Sequence, residues 1–137
     1  MSRILGLCLG VAAIAVGAAL LGAAAPDKQV ARGKYLTEQV AMCIDCHTPR
    51  TERGEFDRAR WLGGSKLDFA PSHPMPMWAD FAPELAGLRA WTNEQVVTLL
   101  STGRRADGTM PRPPMPPYRM SKEDAAAVAA YLRSLKK

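Results

Sequence analysis

The stretch Cys43-Ile44-Asp45-Cys46-His47 is a C-x-x-C-H motif, and it is the most informative segment of the 137-residue chain. Cysteine and histidine are rare in this sequence, which contains three cysteines and two histidines. Two thiols three positions apart lie close together on one turn of a helix, and a histidine follows the second thiol directly. The spacing therefore predicts a single site that uses all three side chains.

The chemistry that this spacing indicates is covalent attachment of a c-type haem. The thiols of Cys43 and Cys46 would each add to one of two neighbouring vinyl groups, and His47 would lie beneath the iron as its proximal ligand. A thioredoxin-like redox pair or half of a zinc site are the alternatives. The redox pair needs a βαβ context that the pattern lacks, and zinc would need ligands beyond His73 and a few carboxylates.

The first 25 residues differ in composition from the rest of the chain. Arg3 is followed by an apolar run over residues 4–21 and by the small residues Ala23, Ala24 and Ala25. This order predicts a secretory signal peptide over residues 1–25 and one domain over residues 26–137. The alternative is a retained anchor, because residues 4–21 are close to the length that spans a bilayer and would associate with the membrane.

Export leaves two cysteines in the mature domain, because Cys8 belongs to the predicted leader. Cys43 and Cys46 are too close in sequence to close a stabilising disulfide loop. The formal net charge is +5, and the basic residues are spread along the chain. This distribution argues against nucleic acid binding and suits contact with an acidic protein face or an anionic membrane surface.

Helical patterns appear at both ends of the mature chain. A first helix is predicted over residues 28–42 with Asp27 as its N-cap. One face of this helix would carry Gly33, Leu36, Val40 and Cys43.

The second and third helical patterns lie in the C-terminal half. Thr92 and Gln95 form a capping box for a helix that ends at Gly103. Another capping box, of Ser121 and Asp124, opens the last helix. The predicted buried stripe of that helix is Ala125, Val128, Ala129, Leu132 and Leu135.

The remaining segments predict long ordered loops. Residues 48–90 show little periodicity apart from a short helical turn near residues 82–88, and residues 104–119 are rich in proline. No strand pattern is convincing. The fold class predicted from these segments is all-α, with three to four helices and long Pro-rich loops.

Four segments together resemble a known family: Gly33-Lys34-Tyr35-Leu36, the C-x-x-C-H motif, Arg112-Pro113-Pro114-Met115-Pro116, and residues 130–135 (AYLRSL). They are similar to the class I, single-haem cytochromes c. The nearest resemblance is to the cytochrome domains that serve bacterial periplasmic alcohol, aldehyde and sugar-acid dehydrogenases. The resemblance implies a small class I cytochrome c fold around one covalent haem c. It also implies that the first and last helices cross near the haem, where Gly33 and Tyr35 would meet the region of Tyr131.

The distal iron ligand is expected to be a methionine. Met115 lies between Pro113-Pro114 and Pro116-Pro117, so its loop is stiff and can present a thioether with little ordering cost. The resemblance also places the ligand just before the last helix. Met110 is the alternative ligand, and Met120 is interpreted as a flexible core filler.

Other residues receive weaker assignments. The segment His73-Pro74-Met75-Pro76-Met77 is interpreted as a loop packing on a haem edge, and a second histidine ligand or a copper(I) site are its alternatives. Tyr118 is expected to hydrogen-bond near the ligand loop. The tryptophans expected to wall the haem pocket are Trp61, Trp78 and Trp91. The arginines considered as partners of haem propionates are Arg104, Arg105 and Arg112.

The function expected from motif and resemblance is single-electron transfer by a periplasmic c-type cytochrome, not catalysis. The expected partners are a periplasmic dehydrogenase, a quinol-oxidising complex or a terminal oxidase, met through a haem edge ringed by basic residues. A haem enzyme or gas sensor would need an open distal site, and no distal His-Arg pair with peroxidase spacing is found. A structural or assembly subunit that carries haem is the third hypothesis.

Overall fold

The computed structural model describes residues 25–135, and the predicted leader lies outside this range except for its last residue. Within the described part, α1 spans Ala25–Tyr35 and continues as a π-helical turn over Leu36–Val40. Helix α2 is Cys43–His47, α3 is Asn93–Thr102 and α4 is Lys122–Ser134. Short 3₁₀ turns lie at Arg58–Arg60 and Ala86–Leu88. The all-α prediction is confirmed.

The first helix differs from its prediction at both ends. Asp27 lies inside α1, which is already helical at Ala25, so its assignment as N-cap is wrong. The helix ends with a wider turn in which the Ala41 amide donates to the Leu36 carbonyl, five residues back, at 2.8 Å. The extra residue in this turn rotates the following positions about the axis. Val40 is therefore 53% exposed and does not share the buried face of Leu36.

The two later helices follow their capping signals closely. The side chains of Thr92 and Gln95 each bind the other's backbone amide, and Gly103 ends α3 with a φ of 70°. At α4 only half of the predicted box forms. The Ser121 hydroxyl accepts from the Asp124 amide at 3.0 Å, whereas the Asp124 carboxylate pairs with Arg32 of α1. The competing guanidinium explains why that part of the prediction is wrong.

Helices α1 and α4 pack with their backbones almost in contact. A Cβ atom built on Gly33 would lie 1.9 Å from the carbonyl oxygen of Ala127 and 2.8 Å from the Cβ of Tyr131. Only glycine permits such an approach. The predicted meeting of Gly33 with the Tyr131 region is confirmed, while Tyr35 is 53% exposed and lies under the Arg32 guanidinium.

The buried stripe of α4 forms one side of the core. Ala125, Val128, Ala129 and Leu132 are each 3% exposed or less, as predicted, and Leu135 is partly buried against them. Helix α3 contributes Val96 and Leu100 from the other side of the core. Two short strands, β1 (Ser65–Lys66) and β2 (Phe81–Ala82), pair antiparallel with Ser65 opposite Ala82. Two residues are too few to produce an alternating pattern, which is why no strand was predicted.

Candidate functional site

The C-x-x-C-H motif begins where the first helix ends. Met42 takes a left-handed conformation, with φ 50° and ψ 37°, and turns the chain into α2. Non-glycine residues seldom adopt this region, and where they do the site is commonly functional. The turn places Cys43, Cys46 and His47 together on the wall of one cavity of about 440 Å³.

The cavity wall is mainly apolar. Helix α3 supplies Val96, Leu99 and Leu100, and α4 supplies Val128 and Leu132. Helix and loop residues thus enclose a slot with reactive sulfur and nitrogen atoms at one side. An apolar slot with a few polar groups is the usual form of a cofactor site.

His47 is fixed by its surroundings. Its side chain is 5% exposed, and its Nδ1 lies 2.7 Å from the carbonyl oxygen of Pro83. A carbonyl only accepts, so Nδ1 carries the proton and donates, which leaves the Nε2 lone pair free for a metal. Burial lowers the pKa of His47, and the hydrogen bond to Pro83 partly opposes that shift. The imidazole is therefore neutral at pH 7, the form that binds iron.

The two cysteines are free thiols. Burial raises the pKa of Cys43 to about 12. Burial also raises the pKa of Cys46, and the Asp45 carboxylate adds to that shift. Reactive redox cysteines need the opposite environment, one that stabilises a thiolate. The site thus gives no support to the thioredoxin-like alternative.

The zinc alternative also lacks support. Within residues 25–135, no group of three or more His, Cys, Asp and Glu side chains could hold a metal ion. His73 is exposed and its Nδ1 lies 3.1 Å from the Ser72 hydroxyl, away from the motif's cavity.

Met115 borders the same cavity as the motif. Its neighbours Pro114 and Pro116 line the wall with it, and its amide donates to the Arg112 carbonyl at 3.1 Å. Met110 is 44% exposed and lies outside the cavity wall. Met120 is partly buried against the core, in agreement with its interpretation as a filler.

Tyr118 connects the methionine loop to the motif. Its hydroxyl donates to the Ala41 carbonyl at 2.6 Å, and its ring lines the cavity. Burial is the main cause that raises the pKa of Tyr118, with the nearby Cys43 and Cys46 sulfurs as lesser causes. The predicted hydrogen bond is present, and it reaches the backbone beside the cysteines.

One of the three tryptophans expected to wall the haem pocket borders the cavity. Trp91 lines the cavity, whereas Trp61 and Trp78 do not. The Trp61 indole N–H instead donates to Glu38 at 3.2 Å and to the Tyr131 hydroxyl at 3.3 Å, beside the crossing of α1 and α4. Trp78 packs edge-on against Phe69. Sequence alone does not distinguish these positions, because all three tryptophans lie in or beside irregular segments.

Two of the three candidate arginines reach the cavity. Arg105 and Arg112 line it, and Arg104 does not, since its guanidinium binds the Gly108 carbonyl at 2.9 Å. Asp45 is also on the wall.

The segment from His73 to Met77 does not contribute side chains to the cavity wall. His73 is exposed, as are Met75 at 39% and Met77 at 62%. The structure thus places these three side chains off the cavity wall, and the interpretation as a loop packed on a haem edge stays a prediction. The link between this segment and the site runs through the backbone, where Arg112 binds the Met77 carbonyl.

Several residues that build the site were not predicted from the sequence. The Pro83 carbonyl orients His47, the Gly64 amide donates to the His47 carbonyl at 2.9 Å, and the Thr48 hydroxyl accepts from the Leu62 amide at 3.0 Å. These contacts join the motif to residues 14 to 36 positions away in sequence. No local pattern encodes such partners.

The residues present fit a covalently bound haem. Two protonated thiols lie beside a neutral histidine with its Nε2 free, a thioether borders the same cavity, and the remaining wall is largely apolar. These are the donors that haem iron takes in c-type sites. Within the described residues, the site defines the chain as a small helical haem-binding domain.

The comparisons identify the family. The profile of the Cytochrome c family matches residues 30–136. The chain belongs to the cytochrome c family, and its helical architecture is that of a small class I cytochrome c. Members of this family carry covalently bound haem c and transfer electrons.

Relatives of the chain are cytochrome proteins of bacteria. It is 31% identical over 118 residues to a diheme cytochrome c-type protein of Cereibacter sphaeroides, covering 82% of this chain and 36% of that protein. It is 32% identical over 119 residues to the cytochrome c subunit of a quinone alcohol dehydrogenase of Gluconobacter oxydans, covering 80% and 24%. It is 28% identical over 109 residues to a fructose dehydrogenase cytochrome subunit of Gluconobacter japonicus, covering 76% and 21%.

The chain thus spans about a third of the first of these relatives and less of the others. Among residues 25–135, no helix is both long and apolar enough to cross a bilayer.

Proposed function

We propose that this chain is an exported, periplasmic c-type cytochrome that carries single electrons between a dehydrogenase or quinol-oxidising donor and a downstream oxidase or other acceptor. One haem c would be bound through thioethers to Cys43 and Cys46. His47 would be the proximal iron ligand and Met115 the distal one. Residues 1–25 would be removed on export or kept as an anchor, and residues 26–137 would form the cytochrome domain.

The observation that carries this proposal is the convergence of Cys43, Cys46, His47 and Met115 on one apolar cavity. Residues 68 positions apart in sequence share that wall, which chance placement of a methionine does not explain. The count of one haem rests on the single C-x-x-C-H motif in the sequence. The diheme relative is almost three times as long as the matched region, which leaves room there for a second motif.

The bound haem supplies an iron centre that gains and loses one electron. The chain's own residues decide how that centre behaves. The Pro83 carbonyl holds the His47 ring in one tautomer, and that hydrogen bond increases the basicity of the ligating nitrogen. A thioether from Met115 is a soft ligand that favours the reduced metal and raises the reduction potential.

Two protein ligands would separate electron transfer from oxygen chemistry. With His47 and Met115 both holding the iron, no position would be open to peroxide or a gas. The largely apolar wall would limit the access of water, which would further favour the less charged, reduced centre. These properties suit a carrier better than an enzyme or a sensor.

The proposed partners follow from the relatives. Two of them are the cytochrome subunits of a quinone alcohol dehydrogenase and of a fructose dehydrogenase. A dehydrogenase as electron donor would therefore suit this chain. A quinol-oxidising complex is the alternative donor, and a terminal oxidase would serve as the acceptor.

Visible absorption spectra of the exported protein test the ligand assignment. We expect a c-type spectrum in which the oxidised protein shows the weak far-red band of a thioether bonded to ferric iron. Met115→Ala should lose that band and bind carbon monoxide rapidly when reduced. Met110→Ala is the matched control and should keep the band, because Met110 lies outside the cavity wall.

Other outcomes favour the other functions. A high-spin spectrum in the unmodified protein would favour a haem enzyme or gas sensor, and a spectrum of two nitrogen ligands would move the assignment to His73. Protein without covalent haem would contradict the whole proposal. The mass of the native N-terminus distinguishes a cleaved carrier from an anchored subunit.

A further inference from the structure

The loop that carries Met115 has few backbone N–H groups with which to form hydrogen bonds of its own. Five of its seven residues from 111 to 117 are proline, and proline has no backbone N–H to donate. Within the loop, the Met115 amide binds the Arg112 carbonyl. Proline restricts the conformations of the loop, but its position against the cavity must come from contacts with other segments.

One group of such contacts joins Arg112 and Pro113 to residues 77–79. The Arg112 Nε donates to the Met77 carbonyl at 3.0 Å, and its Nη2 donates to the Trp78 carbonyl at 2.6 Å. The Ala79 amide donates to the Pro113 carbonyl at 2.7 Å. Two loops 34 or 35 residues apart are thus linked in both directions, immediately before the methionine.

The geometry of this link requires an arginine. A guanidinium presents several N–H groups in a rigid fork, so it can bind two successive carbonyls at once. A lysine ammonium keeps the charge but is a single point of donation and is more strongly hydrated. Hydrogen bonds from a charged donor are also stronger than those between neutral groups.

We propose that Arg112 is a positioning residue that clamps the Met115 loop against residues 77–79 and so keeps the thioether at the iron. This inference rests on the proposed function, in which Met115 is the distal ligand. It assigns to Arg112 a role different from pairing with a haem propionate, because two of its donor atoms are already bound to backbone carbonyls. Arg105 also lines the cavity, yet its bonds go to Thr109 and Met110 in its own turn.

Displacement of the methionine by added imidazole measures how firmly the loop holds it. A foreign ligand binds only when the thioether is off the iron, so its apparent affinity rises in proportion to that population. We expect Arg112→Lys and Arg112→Gln each to bind imidazole about tenfold more tightly than the unmodified holoprotein does. Loss of the far-red band during the titration measures this binding. Arg104→Lys is the matched control and should bind imidazole as the unmodified protein does, because Arg104 does not line the cavity.

The charge-keeping variant separates the two roles of Arg112. If its charge near a propionate were what mattered, Arg112→Lys would behave like the unmodified protein and only Arg112→Gln would differ, which would overturn the clamp. Tighter imidazole binding in both variants would support the clamp. An unmodified protein without the far-red band would contradict the proposed function instead.

Hydrogen exchange in the unmodified holoprotein provides a test that needs no variant to fold. The clamp predicts that the Ala79 amide exchanges slowly because it is bound to Pro113. Exchange of this amide at the rate of an exposed loop would overturn the proposal.

Discussion

The crossing of α1 with α4 and the loop that carries Met115 belong to the same small domain, but different forces hold them in place. At the crossing, Gly33 of α1 meets Ala127 of α4 so closely that no side chain fits between the backbones. At the loop, residues 111–118 meet their neighbours through separate hydrogen bonds from Arg112, Ala79 and Tyr118. The first region depends on packing, and the second depends on a few polar contacts and on proline.

This difference bears on the two halves of the proposed haem site. The cysteines and histidine follow directly from the first helix, whose position the crossing determines. Met115 belongs to the loop. Substitutions at the crossing should therefore change the free energy of unfolding most, while substitutions in the loop should change how firmly the distal ligand is held.

The largest effect is expected for Gly33→Ala. Helix propensity alone would favour alanine by about 1 kcal/mol, but the new Cβ would overlap the Ala127 carbonyl. We expect a net loss of about 3 kcal/mol in the free energy of unfolding, at the upper end of overpacking costs, measured by denaturant titration of the holoprotein.

Gly54→Ala is the matched control for this substitution. No atom lies within 4 Å of a Cβ at Gly54, so only its positive φ of 80° opposes alanine, at about 1 kcal/mol. Equal losses in the two variants would mean that the helices are not in backbone contact and would remove the basis of the comparison.

A smaller effect is expected for Tyr131→Phe at the same crossing. The Tyr131 hydroxyl donates to Glu38 and accepts from the Trp61 indole at 3.3 Å. Removing it should cost about 1.5 to 2 kcal/mol at pH 8, the lower part of the range for a hydrogen bond to a charged group.

The cost should also depend on pH. Burial and the hydrogen bond to Glu38 raise the pKa of Tyr131 to about 12 from an ordinary value of 10.0. The folded state thus favours the protonated phenol, so its contribution is complete below pH 10 and is lost as the pH rises towards 12. The stability advantage over Tyr131→Phe should shrink across this window in denaturant titrations. An advantage that stays constant or grows there would contradict the shift. Tyr35→Phe, at a residue 53% exposed, is the control.

The sequence predicted the parts of this protein that obey local rules. The capping box of Thr92 and Gln95, the stop at Gly103 and the buried stripe of α4 each depend on residues within a few positions. The spacing of Cys43, Cys46 and His47 likewise predicted that they would share one site, and they line one cavity. The position of Met115 on that cavity was expected from its prolines together with a family resemblance.

The misses have a common physical origin in contacts between distant segments. The Asp124 carboxylate pairs with Arg32, 92 residues away, and so does not complete its capping box. The Trp61 indole binds Glu38 and Tyr131 and does not line the cavity. The π-helical turn that exposes Val40 has no pattern of its own. The partners of Arg112 lie in a loop without periodicity, so only the folded structure shows that its charge is used on backbone carbonyls.

The smallest effect on stability, and the most informative one, is expected for Tyr118→Phe. Tyr118 lies three residues after Met115, at the end of the methionine loop. Its hydroxyl anchors that end of the loop to the Ala41 carbonyl. Its loss should lower the free energy of unfolding by about 1 kcal/mol, the net value of one hydrogen bond. Unlike Tyr131→Phe, it should also tighten imidazole binding, by about threefold, because the loop releases the thioether more often. Two tyrosine hydroxyls would then have similar effects on stability and different effects on ligand displacement. If Tyr131→Phe tightened imidazole binding equally, the crossing and the loop would be coupled, and the iron's distal side would depend on the packing of α1 against α4.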